Sequence, residues 1–148
     1  MKSHIWAGPL LATIALAGCA TVEEGVAQRI GDTYNATLSG ANEVGRGDPD
    51  GYARAQITVT DELDQICYDI NDIRNLDNIT GMHIHRGRAG VNGPVVFPMT
   101  QANEGGWKGC KKRAEWTEGA IERDPSNYYV NIHTTAYPDG AIRGQLGN

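Results

Sequence analysis

Two histidines separated by one residue, His83 and His85, and a third at His133 are the side chains of this 148-residue chain best suited to chemistry. On a β-strand, residues two apart point to the same face. His83 and His85 therefore stand side by side while Met82 and Ile84 face the other way. Neutral imidazole suits both copper and zinc, and catalytic zinc commonly takes three protein ligands plus water. The same parity turns Tyr128, Val130 and Ile132 toward an apolar side, and Tyr129, Asn131 and His133 away from it. If the two polar faces adjoin, three imidazoles can hold one copper (or zinc) ion, with Tyr129 and Asn131 beside them as supporting or steering groups. If they do not, the histidines hydrogen-bond backbone at the rim of a sheet. Spacing alone leaves both readings open.

Other chemistry is poorly represented. There is no Gly-x-Ser-x-Gly elbow and no assignable Ser-His-Asp set. Gly87, Gly90 and Gly93 lie in one loop, but no helical pattern and no Lys-Ser/Thr pair follows, so a phosphate loop is excluded. None of the 18 acidic residues pairs as a glycosidase acid and base. Lys111-Lys112-Arg113 reads as the solvated start of a helix. Net charge −5 and a pI near 5.3 argue against a nucleic-acid partner, which needs a cationic surface.

The N-terminus reads as an address. Lys2 precedes an apolar run from Ile5 to Ala17, broken only by Gly8-Pro9 and Thr13, which is too short to span a bilayer and fits a secretory signal. Leu16-Ala17-Gly18-Cys19 resembles the bacterial lipoprotein box, in which cleavage before the cysteine leaves a lipid-bearing N-terminus. Residues 1–18 are thus expected to be a signal peptide, and Cys19 the membrane anchor at the head of a 19–32 tether. Ala20 after the cysteine resembles the outer-membrane-sorted type of Gram-negative lipoproteins, so the expected place is the periplasmic face of the outer membrane. Removing residues 1–18 takes away His4, which leaves His83, His85 and His133 as the histidines of the mature chain. With Cys19 assigned to lipid, Cys67 and Cys110 remain as an even pair. Export to an oxidising compartment makes a disulfide between them the leading expectation, with two buried thiols as the alternative.

The elements that must position these groups are short strands. Tyr34, Ala36 and Leu38 alternate with polar residues, as do Ala53, Ala55, Ile57 and Val59, then Ile66, Tyr68 and Ile70. Asp48-Pro49-Asp50-Gly51 and Thr60-Asp61-Glu62 mark the turns between them. Further strands are expected at Gly81–His85, in the apolar run Val95–Met99, at Tyr128–Thr134 and at Ala141–Leu146. Residues 100–127 lack alternation; a short helix within Lys111–Glu122 would turn Ala114, Trp116, Ala120 and Ile121 inward. Nineteen glycines fit many tight turns. The expectation is one all-β domain, an antiparallel sandwich or barrel, with one short helix in the 100–127 region.

Several blocks in order then resemble a known family. They are Ala36-Thr37-Leu38-Ser39-Gly40-Ala41-Asn42-Glu43-Val44, Cys67-Tyr68, Met82-His83-Ile84-His85 with Gly87, Ala89-Gly90 and Asn92-Gly93-Pro94-Val95-Val96, Tyr128 through Thr134, and Gly140 with Ile142-Arg143-Gly144-Gln145-Leu146. Over residues 33–148 the chain is similar to the CHRD domain, named from chordin and found also in bacterial secreted proteins and lipoproteins. The resemblance implies an immunoglobulin-like β-sandwich with a limited similarity to copper–zinc superoxide dismutase. On that likeness His83-Ile84-His85 looks like the dismutase's His-x-His copper strand, with His133 as a further ligand and Arg143 as an active-site cation. Three departures bear on the loops. Gly45-Arg46-Gly47 stands where the family usually has prolines, Ala141 stands where an acidic residue is usual, and 100–127 is largely this chain's own.

The functional expectation is a lipid-anchored, non-catalytic binding module of the cell envelope that holds copper or zinc through His83, His85 and His133. One alternative is a copper-dependent, superoxide dismutase-like enzyme, although three histidines cannot build the binuclear copper–zinc set. The other is a metal-free module that binds an envelope protein or glycan through its loops.

Overall fold

A computed structural model describes residues 25–26, 30–112 and 115–147. Residues 1–18, expected to be a signal peptide, Cys19, the expected anchor, Arg113 of the basic cluster and Ala114, expected to face inward from the helix, lie outside the described residues, as does the side chain of Trp116. No helix among the described residues is long and apolar enough to cross a membrane.

The strands are β1 (Asp32–Ser39), β2 (Tyr52–Thr60), β3 (Gln65–Arg74), β4 (Ile79–Arg86), β5 (Val95–Pro98), β6 (Trp107–Lys112), β7 (Tyr128–Thr134) and β8 (Ile142–Gln145), with one helix, α1 (Glu115–Arg123), before β7. They form a single sheet in the order β5-β4-β7-β8-β1-β2-β3-β6, antiparallel at every pairing. The alternation seen in the sequence decides the faces. Tyr34, Ala36 and Leu38 of β1, Ala53, Ala55, Ile57 and Val59 of β2, and Ile66, Tyr68 and Ile70 of β3 are all buried. So are Met82 and Ile84 of β4 and Tyr128, Val130 and Ile132 of β7, and both sets belong to one core. The sheet is thus folded over on itself, and its two halves share a filling as the two layers of a β-sandwich do.

The fold line is the junction of β8 with β1, where strand pairing thins to Ser39 opposite Arg143 and an isolated bridge between Asn35 and Gly147. The two edges, β5 and β6, are brought together by side chains. Tyr68 Oη donates to Thr100 O at 2.8 Å and accepts from Thr100 N at 3.0 Å. Lys111 Nζ donates to Pro98 O, and the Tyr68 and Phe97 rings meet edge to face.

The turns follow their residue chemistry. Asp48 Oδ1 accepts the backbone N–H groups of Asp50 and Gly51 at 3.0 and 3.1 Å, an Asx turn that launches β2. The region 100–127 differs from the sequence expectation. It contains a strand, β6, as well as the helix, so Lys111 and Lys112 sit on an edge strand rather than at a helix start. Trp107-Lys108-Gly109-Cys110-Lys111-Lys112 has too few apolar residues to signal a strand; pairing with β3 and a covalent tie hold it there. Lysines suit that edge because they discourage pairing with another chain. The tie is the Cys67–Cys110 disulfide, which joins directly opposed residues of β3 and β6. Ile121 of α1 reaches the core and Ala120 packs against it.

A loop closed over 43 positions restricts the unfolded chain by about 4 kcal/mol in the chain-entropy account. Reduction of Cys67–Cys110, or its replacement by two serines, is therefore expected to lower the urea-unfolding free energy by about that amount. Equal midpoints with and without reductant would contradict a structural role for the bridge.

Candidate metal centre

β4 and β7 pair so that Gly81 lies opposite His133, His83 opposite Asn131 and His85 opposite Tyr129. The face behind Met82, Ile84, Val130 and Ile132 therefore carries all three histidines together. His83 and His133 are diagonal neighbours across the pair, a distance long side chains can bridge. Gly81 makes this possible: a Cβ there would lie 3.2 Å from His83 Cε1, so the missing side chain is the space into which the His83 ring folds. Ring centroids are 5.1 Å apart for His83–His133, 5.7 Å for His83–His85 and 6.1 Å for His85–His133.

The hydrogen bonds set the tautomers. His85 Nδ1 lies 2.9 Å from Gly93 O, and His133 Nδ1 lies 2.9 Å from Pro138 O. A carbonyl oxygen only accepts, so each Nδ1 donates its hydrogen and each neutral ring keeps a free lone pair on Nε2. Those two Nε2 atoms and His83 Nδ1 are enclosed and have no hydrogen-bond partner. One ligand nitrogen from each ring lies within 4.8 Å of the others. A tetrahedral ion with bonds of 2.0–2.1 Å spaces nitrogens about 3.3 Å apart, which modest ring rotations reach. Three unpartnered ring nitrogens, in a group whose ligand atoms lie within 4.8 Å of one another, fit a copper or zinc ion, and the carbonyls behind two of the rings are the usual support for metal-binding imidazole. Burial foremost, then the neighbouring imidazoles, lowers the pKa of His83. Burial also dominates the lowering at His85, against the Gly93 carbonyl, which raises it. Both shifts favour the neutral, metal-binding form at neutral pH.

The histidine face is not open to solvent as a simple outer face would be. Loop 87–94 folds across it, and Arg143 of β8 holds the loop down. The Arg143 guanidinium is 1% exposed and stacks 3.4 Å from the Tyr129 ring centroid. It donates to Arg88 O at 2.8 Å and Val91 O at 3.0 Å. Gln145 Nε2 adds a bond to Gly87 O at 2.7 Å, and Tyr129 Oη accepts from Gly93 N at 3.2 Å. Tyr129 in turn stacks on His85, with centroids 4.8 Å apart and planes 12° apart. Gly93 crosses so close to β4 that a Cβ would lie 1.6 Å from Arg86 O. Arg143 and Tyr129 thus act through the loop and the His85 ring. Among the described residues the guanidinium's hydrogen-bond and ring partners are loop, Gln145 and Tyr129 atoms.

Asn131 Nδ2 donates to Ile142 O at 3.0 Å and to Glu43 Oε1 in a short bond. In the sequence Glu43 stands out only within the family block, yet it reaches this site through Asn131. Burial raises its pKa, while Asn131, Arg143 and His133 oppose the rise. Glu43, Arg46, His85, Asn92, Asn131 and Asp139 help line a cleft of about 540 Å³ beside the histidines. Nothing in the spacing of Glu43 or Arg46 announces that position; loop 40–51 delivers them.

Residues 34–146 match the CHRD domain family, which spans both histidine strands and the Arg143 strand. The chain belongs to that family. No curated protein and no solved structure matches the chain as a whole or in part. The CHRD domain here is an all-β sheet whose best-organised polar cluster is the three-histidine group.

Arg143→Lys keeps the charge but loses the planar fork that serves several carbonyls at once. Urea unfolding of the CHRD domain should show a loss of about 2 kcal/mol, in the range for hydrogen bonds to a buried charged group. An unchanged midpoint would show that the loop is held by something else.

Proposed function

We propose that this CHRD-domain protein is a lipid-anchored, non-catalytic module of the bacterial cell envelope that binds one copper or zinc ion through His83, His85 and His133. The observation behind the metal is the convergence of three enclosed imidazole nitrogens that no protein donor satisfies, with two of the rings locked from behind by carbonyls. An unpaired buried polar atom costs free energy, and an ion that accepts all three lone pairs removes that cost. Copper ranks first because divalent copper outcompetes zinc for nitrogen sites of this kind. The anchor rests on the lipoprotein-box resemblance at Leu16-Ala17-Gly18-Cys19. An oxidising compartment agrees with the Cys67–Cys110 disulfide.

When bound, copper would supply a redox couple and zinc a Lewis acid. The residues of this chain hold and orient the three rings, and loop 87–94 limits water at His85. A second reading, a copper-dependent superoxide dismutase-like enzyme, is favoured by the cleft of about 540 Å³ that reaches His85. A metal-free module binding an envelope protein or glycan is the reading that stands if metal fails.

The purified chain should take up copper near one equivalent, and His83→Ala with His133→Ala should abolish that uptake in a competition titration. Native material free of metal, with affinity for copper and zinc no better than about micromolar, would contradict the metal reading. Cys19→Ser is expected to move the protein from the membrane fraction to the soluble one; an unchanged distribution would remove the lipid anchor.

A further inference from the structure

Every ligand atom offered by the three-histidine group is an imidazole nitrogen, uncharged when it binds a metal. Among the described residues no Asp, Glu or Cys joins the group. A divalent ion placed there keeps both of its charges, part of which a thiolate or carboxylate ligand would cancel. The three unpartnered nitrogens, His83 Nδ1, His85 Nε2 and His133 Nε2, have almost no surface open to solvent. Of the three histidines only His85 lines the cleft of about 540 Å³, so water approaches an ion here from one side.

The charged side chains around the cleft do not make up the difference. Glu43 and Asp139 line it, but so does Arg46, and Arg143 stacks on Tyr129, another lining residue. Two carboxylates thus stand against two guanidiniums, and Glu43 is engaged by Asn131. Arg143 is the buried cation. It is 1% exposed and takes part in no ion pair among the described residues. Its hydrogen bonds go to neutral oxygens, those of Arg88 O, Val91 O, Asn92 Oδ1 and Gln145 Oε1. The guanidinium lies 3.4 Å from the Tyr129 centroid, and the Tyr129 and His85 rings stack at 4.8 Å with planes 12° apart. A guanidinium, a phenol ring and an imidazole therefore form one column that ends at the ligand set.

The cost of burying an ion grows as the square of its charge, and repulsion from a buried guanidinium grows with each unit added. Ligand number acts in the same direction. Divalent copper prefers a tetragonal set and zinc a tetrahedral four, whereas monovalent copper, with a filled d shell, is satisfied by three donors. Imidazole itself suits copper and zinc alike, so charge and ligand number decide. We propose that the centre holds copper as the monovalent ion in preference to divalent copper and zinc, with Arg143 as a specificity-determining residue for that charge. The inference rests on the metal reading above and adds the oxidation state to it.

Competition titrations of the full chain test it. Monovalent copper is titrated without oxygen against a chromophoric chelator, in ascorbate rather than a thiol so that the Cys67–Cys110 disulfide is spared. Divalent copper and zinc are titrated without reductant against chelators of their own. Monovalent copper is expected to bind at least about 100-fold tighter than either divalent ion. Arg143→Gln should narrow that ratio about tenfold. Arg143→Lys, which loosens the loop but keeps the charge, should leave the ratio within about threefold. The wild-type ratio keeps the proposal falsifiable if neither variant folds. Divalent copper or zinc held as tightly as monovalent copper would overturn the preference, and equal ratios in the Gln and Lys variants would overturn the part given to Arg143. Copper bound in neither state defeats the metal reading itself, so the two failures are told apart.

Discussion

The pairing of β4 with β7 is the constraint on which the rest of the molecule depends. In its observed register it sends Met82, Ile84, Val130 and Ile132 into the core and sets His83, His85 and His133 together on the other face. The side-chain period of a strand is two, so a slip of one residue would bury the imidazoles and expose the aliphatics. The same hydrophobic burial that stabilises the fold therefore fixes the histidine geometry. No separate device is needed to choose the face. The register with β7 changes between Ile79 and Gly81, just before the histidines, and the register with β5 changes between Ile84 and His85, within them.

Around this pair Arg143, Gln145 and Tyr129 hold loop 87–94 across the outer face. Arg143 is a cation buried with carbonyl partners and an aromatic ring rather than with a paired carboxylate. Its planar fork spans Arg88 O and Val91 O, which a single-headed lysine cannot do. Loop 87–94, so held, presents Gly93 O to His85, and the loop after β7 presents Pro138 O to His133. Stability and site geometry are thus coupled through shared contacts: loosening the loop frees a ring before it disturbs the core. On the superoxide dismutase likeness, Arg143 would face a substrate. Its position in this CHRD domain favours a positioning role for the proposed metal.

Much of this was legible in the sequence, for physical reasons. Alternation in β1, β2, β3 and β7 reports which side chains meet the core, and His83-x-His85 needs only strand geometry to be read as a shared face. The Cys67–Cys110 pairing followed from having two cysteines beyond the expected anchor. Other features depend on tertiary context. β6 is a strand because β3 offers it a partner and Cys67 a bond, while Lys108, Lys111 and Lys112 carry no hydrophobic signal. Strand parity points Tyr129, Asn131 and His85 away from the core, yet all three are buried, because Gly93 covers His85 and Tyr129 while Glu43 meets Asn131. Glu43 reaches its place through an irregular loop, and its spacing does not mark it out in advance.

In the proposed function His83, His85 and His133 together make one metal centre. X-ray absorption of the copper-loaded full chain, read with electron paramagnetic resonance of its divalent form, tests this most directly. Three imidazole nitrogens at about 2.0 Å from a single ion, lost when His83 and His133 are replaced by alanine, are the predicted result. Copper held by fewer than three imidazoles, or by a set unchanged by those substitutions, would contradict it.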